Sequence, residues 1–122
     1  MVHRKGATRA FPGQPVILGG SMETGSYLLM GTEGAMQKTF GSTAHGSRRT
    51  MSRTKAKQEV QGEELQKKMK KQGIYVKTAS LSGLAEEAGF AYKDINEIVT
   101  ALSTTDISQP IASFKPLGNI KG

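Results

Sequence analysis

The residues best suited to chemistry lie in one short run that combines a histidine, small residues and arginines. His45 lies within FGSTAHGSRR (residues 40–49), and Arg48, Arg49 and Arg53 follow it within eight positions. Glycine lets backbone N–H groups approach a ligand closely, and arginine pairs its fixed charge with phosphate oxygens. The imidazole is the only strong nitrogen nucleophile nearby. This combination predicts phosphoryl or nucleotidyl chemistry, with His45 as the candidate nucleophile.

Each part of this pattern also has a plainer interpretation. A histidine in a loop of glycines and hydroxyls can be an ordinary surface residue, and the arginines can form the polar start of a helix. Upstream, GGSMETG (residues 19–25) is similar to loops that cradle phosphate, but glycine pairs after strands are common. His3 suits a frayed terminus, and two histidines without cysteine cannot build a metal site of ordinary ligand count. The residue types alone leave these alternatives open.

Charge and glycine are concentrated in the first half of the chain. Residues 1–57 hold nine Lys or Arg against two acids and carry nine of the fifteen glycines, whereas residues 58–122 hold eight of each charge. The whole net charge of +7 therefore lies in the first half. A basic, glycine-rich half favours a polyanionic partner, RNA or nucleotide before membrane, although a solvated basic surface would give the same count. We expect residues 1–57 to form the active-site half and residues 58–122 the scaffold.

Length and composition set the broad class. A chain of 122 residues makes at most one domain with a modest core. The absence of cysteine excludes disulfides and thiolate metal sites. No apolar run approaches the length of a membrane span, and the basic start lacks the apolar stretch of a signal peptide. We expect a soluble cytoplasmic protein with no membrane partner.

Hydrophobic periodicity predicts an α+β fold, a mixed sheet with flanking helices. Thr32, Ser82 and Asp94 are the predicted N-caps of three of the helices. The loop at residues 19–25 is long for a tight hairpin, so we expect the strands on either side of it to pair with sequence outside this chain. Predicted strands cover residues 15–18, 26–30, 74–78 and 110–114; predicted helices cover 33–39, 49–57, 62–72, 82–89 and the segment after Asp94.

Taken together, the motifs resemble the C-terminal part of the RtcB-type RNA-splicing ligases. The resemblance covers essentially the whole chain, and its motifs are specific in combination. It implies that the fold is the C-terminal part of a larger RtcB-like fold. The motifs are VHRKGATRAF (2–11), GQPVI (13–17), GSM (20–22), FGSTAHG (40–46), MSR (51–53), AYKD (91–94), PLG (116–118) and KG (121–122).

The resemblance implies a reaction and its cofactors. Ligases of this family join an RNA 3′-phosphate or 2′,3′-cyclic phosphate to a 5′-hydroxyl end, as in tRNA halves. They use GTP and Mn²⁺, and a histidine carries GMP as a covalent intermediate. The family's nucleophile falls on His45. The family's metal ligands, a cysteine, an aspartate and histidines, lie upstream of this segment, so the resemblance implies no metal site in this chain.

The resemblance also implies which residues contact the nucleotide and the RNA. Arg49 and Arg53 match positions suited to holding RNA phosphates. The residues implied for the guanine nucleotide are Gly19, Gly20, Ser21, Met22, Ser26, Gly46, Ser47, Arg48, Tyr92 and Lys121.

The chain departs from the family pattern at two sites that matter for activity. Ser47-Arg48-Arg49 follows Gly46 where the family usually has Ala-Gly-Arg, which puts a bulky cation in place of a glycine. Glu23 stands where a glycine is usual, so its charge either points away from the phosphates or weakens binding. Three interpretations remain: a segment of an RNA ligase, a non-catalytic RNA- or guanylate-binding module, and an inactive remnant. Because half of the active site is outside this chain, we expect the isolated chain to be catalytically incompetent.

Overall fold

Seven short strands and five helices build the chain in the computed structural model, which describes all residues 1–122. The strands are β1 Ala7–Arg9, β2 Pro15–Gly19, β3 Ser26–Gly31, β4 Ser42–Ala44, β5 Tyr75–Thr78, β6 Ser108–Phe114 and β7 Gly118–Lys121. The helices are α1 Glu33–Thr39, α2 Arg53–Glu59, α3 Gly62–Lys71, α4 Leu81–Glu86 and α5 Ile95–Thr104, with a 3₁₀ turn at Gly89–Ala91. The predicted α+β class is confirmed.

The strands are divided among three small sheets. Strands β1 and β4 pair antiparallel, β2, β3 and β6 form an antiparallel sheet in that order, and β5 and β7 pair parallel. The expectation that β3 pairs with sequence outside the chain is wrong, because β2 and β6 occupy its two edges. Strand β2 pairs with β3 on one edge, and pairing of its other edge with sequence outside the chain stays a prediction. The pairing of β2 with β3 buries Val16, Leu18 and Leu29 on one face of the sheet.

Two apolar clusters hold the fold and meet at the loop between β2 and β3. In one cluster, Leu18 and Leu29 of the sheet pack against Ile95 and Val99 of α5. In the other, Met22 packs among residues in or next to α3, β5 and α4, namely Leu65, Met69, Ile74, Val76, Leu84 and Ala88. Burying a side chain of this size contributes about 1.5–3 kcal/mol. The loop therefore leaves one core at Leu18 and is anchored in the other by Met22.

Helix starts follow the predicted caps in two of three cases. Thr32 and Asp94 cap α1 and α5, each accepting a hydrogen bond from a backbone N–H in the first turn. Ser82 does not cap a helix, because Ser80 has the extended backbone of an N-cap and Ser82 lies inside α4. The basic stretch 49–57 is helical only from Arg53 onward, where Ser52 provides the cap.

Three strands were not predicted from the sequence. Strand β4 lies inside the histidine run, and β1 and β7 lie near the two ends of the chain. Each is only three or four residues long. Segments so short show too few positions for the apolar–polar alternation that identifies a strand. Strand β4 matters most, because it leads directly into His45.

Candidate functional site

The histidine run and the glycine loop lie side by side. The Gly19 N–H donates to the carbonyl of His45 at 3.1 Å, and the Ser47 N–H donates to the carbonyl of Gly19 at 2.8 Å. These two bonds form an isolated parallel bridge between Gly19 and Gly46. A Cβ on Gly46 would lie 3.4 Å from the Gly19 carbonyl oxygen, in van der Waals contact with it. Two segments that the sequence analysis linked only by their chemistry are thus joined by hydrogen bonds.

The two side chains that flank Gly46 differ in exposure. His45 is exposed, and its ring forms no hydrogen bond within the chain. The hydroxyl of Ser47 is buried and has no hydrogen-bond partner. A buried polar atom without a partner is rare and requires an explanation. A ligand atom or an ordered water that bonds to Ser47 would supply one.

A small cavity opens beside the glycine loop. Its volume is about 230 Å³. Four residues predicted for the nucleotide line it: Gly19, Gly20, Ser21 and Ser26. The sequence analysis missed Lys115 and Asn119, which also line the cavity. The available signal was that Asn119 follows directly after the PLG motif.

The glycine loop is held in shape by its own hydrogen bonds. The Ser21 hydroxyl accepts from the N–H of Glu23 at 3.2 Å and of Thr24 at 3.3 Å, while the Thr24 hydroxyl accepts from the Ser21 N–H at 2.9 Å. The Gly20 N–H donates to the Gly25 carbonyl at 2.8 Å. A Cβ on Gly20 would collide with that carbonyl and lie 2.7 Å from the Thr24 hydroxyl. The loop is therefore built before any ligand binds.

Two residues of the loop point away from the cavity. Met22 is buried in the core, and its carbonyl accepts from the side-chain amide of Asn119 at 3.2 Å, so only its remaining backbone could reach a nucleotide. The Glu23 carboxylate accepts from the Gly89 N–H at 2.7 Å and lies 2.8 Å from Lys68 Nζ. Of the two alternatives for Glu23, the structure has the one in which the charge of its side chain points away from the glycine-loop cavity.

Arg48 lies at a different cavity. With Gly6, Ser42 and Leu102 it lines a space of about 330 Å³ next to β1 and β4. Its guanidinium would lie 3.6 Å from a Cβ on Gly6, and no carboxylate lies within ion-pair distance. The structure thus joins the backbone of His45 to Gly19 of the glycine loop, but neither His45 nor Arg48 lines the glycine-loop cavity.

Four predicted residues converge on a pair of adjacent carboxylates that the sequence analysis overlooked. Tyr92 donates a short hydrogen bond to Glu87, whose carboxylate also lies 3.6 Å from Arg49 Nη1 and 3.8 Å from Lys121 Nζ. Arg53 Nε lies 3.5 Å from Glu86 and 3.8 Å from Glu87. Two residues predicted to contact the nucleotide and two predicted to contact RNA therefore form one cluster around Glu86 and Glu87.

The guanidinium of Arg49 is largely engaged within this cluster. It donates to the carbonyl of Met51 at 3.2 Å, the hydroxyl of Tyr92 at 3.0 Å and the carbonyl of Glu86 at 2.6 Å. It also lies over the Tyr92 ring at 5.0 Å. By contrast, the side chain of Arg53 is 68% exposed. Of the two arginines, Arg53 is the one that could take up an RNA phosphate without losing internal hydrogen bonds.

Two groups in the cluster have shifted pKa values. Burial, followed by the hydrogen bond to Glu87, raises the pKa of the Tyr92 hydroxyl above its ordinary value. The hydrogen bond from Lys57 lowers the pKa of the Glu86 carboxyl. The cluster therefore keeps Tyr92 protonated as a donor and Glu86 ionised as an acceptor.

The raised pKa of Tyr92 predicts a loss of stability in base. Because the folded pKa exceeds the unfolded value of 10.0, folding holds the proton more tightly, and this contribution is lost as the pH rises through the folded pKa. We expect the free energy of unfolding to fall more steeply above about pH 10 in wild type than in Tyr92→Phe. Urea unfolding across this range measures the difference, and equal slopes in both proteins would contradict the assignment.

No group of three His, Cys, Asp or Glu side chains lies close enough to hold a metal ion. None of the helices has the length and apolar character needed to cross a bilayer.

Comparison with known proteins gives one consistent family. The model of the family described as tRNA-splicing ligase RtcB matches residues 1–122. A protein named tRNA-splicing ligase RtcB from Methanopyrus kandleri is 47% identical over 138 aligned positions, which cover 100% of this chain and 14% of the relative. Proteins of the same name from Pyrococcus horikoshii and Thermococcus kodakarensis are 45% and 44% identical, again over 100% of this chain and over 16% and 28% of theirs.

This chain spans between 14% and 28% of the length of these relatives. The family match nevertheless runs through every segment described above, including the glycine loop, the histidine run and the carboxylate cluster. The chain belongs to the tRNA-splicing ligase RtcB family.

Proposed function

We propose that this chain is the nucleophile-bearing and guanylate-binding part of an RNA ligase. The ligase would join an RNA 3′-phosphate or 2′,3′-cyclic phosphate to a 5′-hydroxyl end, with tRNA halves as substrates. One observation carries the proposal: the exposed ring of His45 is held beside the preformed glycine loop by two backbone hydrogen bonds. A nucleophile fixed next to a preformed loop suits attack on a phosphate bound beside it.

A 2′,3′-cyclic phosphate is first opened by water to a 3′-phosphate, and the proposed chemistry then has three phosphoryl steps. A neutral ring nitrogen of His45 attacks the α-phosphorus of GTP, forming a P–N bond while pyrophosphate leaves. An oxygen of the RNA 3′-phosphate then attacks the same phosphorus, which frees the histidine and leaves GMP joined to the RNA end. The 5′-hydroxyl attacks the RNA phosphate, loses its proton and displaces GMP. Covalent transfer through a histidine replaces one difficult step by easier ones.

The residues present fit a guanine nucleotide. Ser47 offers a buried hydroxyl that lacks a partner, and the glycine-loop cavity of about 230 Å³ adds Lys115 as a cation. Asn119 lines that cavity, while Lys121, two residues on in β7, reaches the carboxylate cluster. Residues two apart in a strand share a face. Strand β7 therefore extends from the cavity to the carboxylate cluster that contains Tyr92. One nucleotide could contact the residues of the cavity and Tyr92 together.

The residues present do not fit Mn²⁺. No group of three potential ligands is close enough, and hard divalent cations need several oxygen or imidazole ligands. The part of the family protein that lies outside this chain would bind the Mn²⁺. No step is assigned to a metal within residues 1–122.

An uncovered apolar face supports a partner for this chain. Ile17, Leu28 and Ala112 are paired across β2, β3 and β6 and share a face, with Phe114 two residues further along. Ile17 is 64% exposed and Phe114 49%. Contiguous exposed apolar residues mark interaction surfaces. We propose that the N-terminal portion of the family protein covers this face, in the same or a separate polypeptide.

The same face ends at the candidate site. Gly19, Ser26 and Phe114 are paired across the three strands, and all three line the glycine-loop cavity. A partner that covers the apolar face would also complete the wall of the cavity. This arrangement explains why the isolated chain is expected to be incompetent.

A second candidate function is favoured by Arg48. It is an exposed cation without a carboxylate partner, at a position where the family usually has glycine. Exposed, unpaired arginines suit contacts with phosphate. The chain would then bind RNA or guanylate without catalysis.

Intact mass spectrometry separates the two functions. The chain is incubated with GTP and Mn²⁺, with and without a separately expressed N-terminal portion of the Thermococcus kodakarensis relative. We expect one GMP adduct only when the added portion is present. A complex that binds GMP but forms no adduct would favour the binding module. Sealing of RNA ends by the chain alone would contradict the need for a partner.

A further inference from the structure

We propose that Glu87 is a positioning residue that fixes Tyr92 and Lys121 in one arrangement for the guanylate. The inference rests on the proposed function, because Tyr92 and Lys121 are proposed nucleotide contacts. Glu87 itself would touch no reacting atom. It would act through the two side chains that it holds.

The carboxylate of Glu87 is the common point of three segments of the chain. It accepts a hydrogen bond from the Tyr92 hydroxyl and lies 3.8 Å from Lys121 Nζ and 3.6 Å from Arg49 Nη1. Its side chain is only 20% exposed, so these contacts are partly shielded from water. Hydrogen bonds to charged groups in such surroundings are stronger than neutral ones. Removing the charge would leave two cations near one another without a counterion.

Lys121 depends most on this contact. Glu87 is its only ion partner. Its carbonyl accepts from the Ala79 N–H at 3.0 Å, which fixes the backbone but not the long side chain. A lysine side chain has many rotamers, and ordering it costs conformational entropy that a contact at its ammonium must offset. Glu87 is therefore the group that gives the Lys121 ammonium a defined place.

Tyr92 is coupled to the histidine run by the backbone. The Lys93 N–H donates to the Arg48 carbonyl at 2.9 Å, and the Thr50 N–H donates to the Ala91 carbonyl at 2.8 Å. These bonds place Tyr92 opposite Arg49 in an antiparallel bridge. Arg49 lies four residues after His45 in the chain. By holding Lys121 to Tyr92, Glu87 would set both contacts relative to the nucleophile.

Glu86 is a matched control in the same chain. Its side chain is 23% exposed, close to the 20% of Glu87. Its carboxylate pairs with Lys57 and Arg53 and contacts neither Tyr92 nor Lys121. A general effect of lost negative charge or lost stability should appear in both variants. An effect on the guanylate should appear only in Glu87→Gln.

The test measures GTP kinetics in the complex of the chain with the N-terminal portion of the relative. We expect Glu87→Gln to raise the KM for adduct formation about tenfold with kcat nearly unchanged, and Glu86→Gln to leave both unchanged. Glu87→Asp, which restores the charge on a shorter side chain, should give an intermediate KM. A fall in kcat alone, or equal effects of the two glutamine variants, would overturn the proposal.

A second measurement separates this inference from the proposed chemistry. The Kd of GMP is measured by calorimetry in the His45→Ala background, where no adduct can form. Glu87→Gln should weaken binding about tenfold, Lys121→Met should do the same, and the double variant should be no weaker than either. If no adduct ever forms but this pattern holds, the histidine chemistry fails and the positioning role stands. Additive effects of the two substitutions, or no GMP binding by the complex with Glu87 and Lys121 intact, would overturn the positioning role.

Discussion

His45→Ala is expected to abolish the GMP adduct and to leave the fold unchanged. The ring of His45 is exposed and forms no hydrogen bond within the chain, so its loss removes no packing. The backbone bonds that join His45 and Ser47 to Gly19 do not involve the ring and should persist. Removing a covalent nucleophile lowers rates by on the order of 10⁶, which takes the adduct below detection. Intact mass of the complex after incubation with GTP and Mn²⁺ measures the loss.

His3→Ala is the matched control for this experiment. His3 is also exposed and lies in a basic, glycine-containing segment, but no contact links it to the glycine loop. The adduct should form normally in this variant. The GMP adduct should also be lost in mild acid, because mild acid hydrolyses the P–N bond. This lability distinguishes it from a phosphate ester of a hydroxyl side chain. An adduct that survives in His45→Ala, or that disappears in His3→Ala, would refute the assignment of the nucleophile.

Sequence reasoning succeeded where a signal was local. Thr32 and Asp94 are N-cap residues immediately before periodic segments, and both cap the helices that the pattern predicted. The apolar runs at 15–18 and 26–30, each closed by glycine, are strands as predicted. The run around His45 was identified by residue type. Its contact with Gly19 was not predictable, because a bridge between residues so far apart depends on the whole fold.

The carboxylate cluster shows that local sequence patterns cannot predict contacts between segments of the folded chain. Glu86 and Glu87 occupy the end of a short helix, where the sequence alone suggests solvated acids. Their partners Arg49 and Lys121 come from segments far away in the chain, so only the folded structure reveals that they meet beside Tyr92. The charges of a cluster can be counted in a sequence, but their pairing is set by tertiary contacts.

Glu23→Gly, which introduces the residue usual in the family, is expected to destabilise the chain rather than improve its site. The side chain of Glu23 is only 8% exposed, and its carboxylate accepts from the Gly89 N–H at 2.7 Å. A hydrogen bond to a charged group contributes about 1.5–3 kcal/mol, and glycine adds about 0.5–1 kcal/mol of backbone entropy to lose on folding. We expect the free energy of unfolding to fall by about 2–4 kcal/mol, measured by urea unfolding.

Two further variants identify which contact of Glu23 matters. Lys68 is 59% exposed, so Lys68→Ala should cost less than about 1 kcal/mol, as exposed ion pairs usually do. Glu23→Gln keeps an oxygen acceptor for Gly89 and should lie between wild type and Glu23→Gly. Because the carboxylate points toward Gly89 and Lys68 and away from the cavity, none of the three should tighten GMP binding to the complex. A Glu23→Gly variant that is fully stable and binds GMP more tightly would instead mean that the charge faces the nucleotide, and that this departure from the family pattern weakens the site.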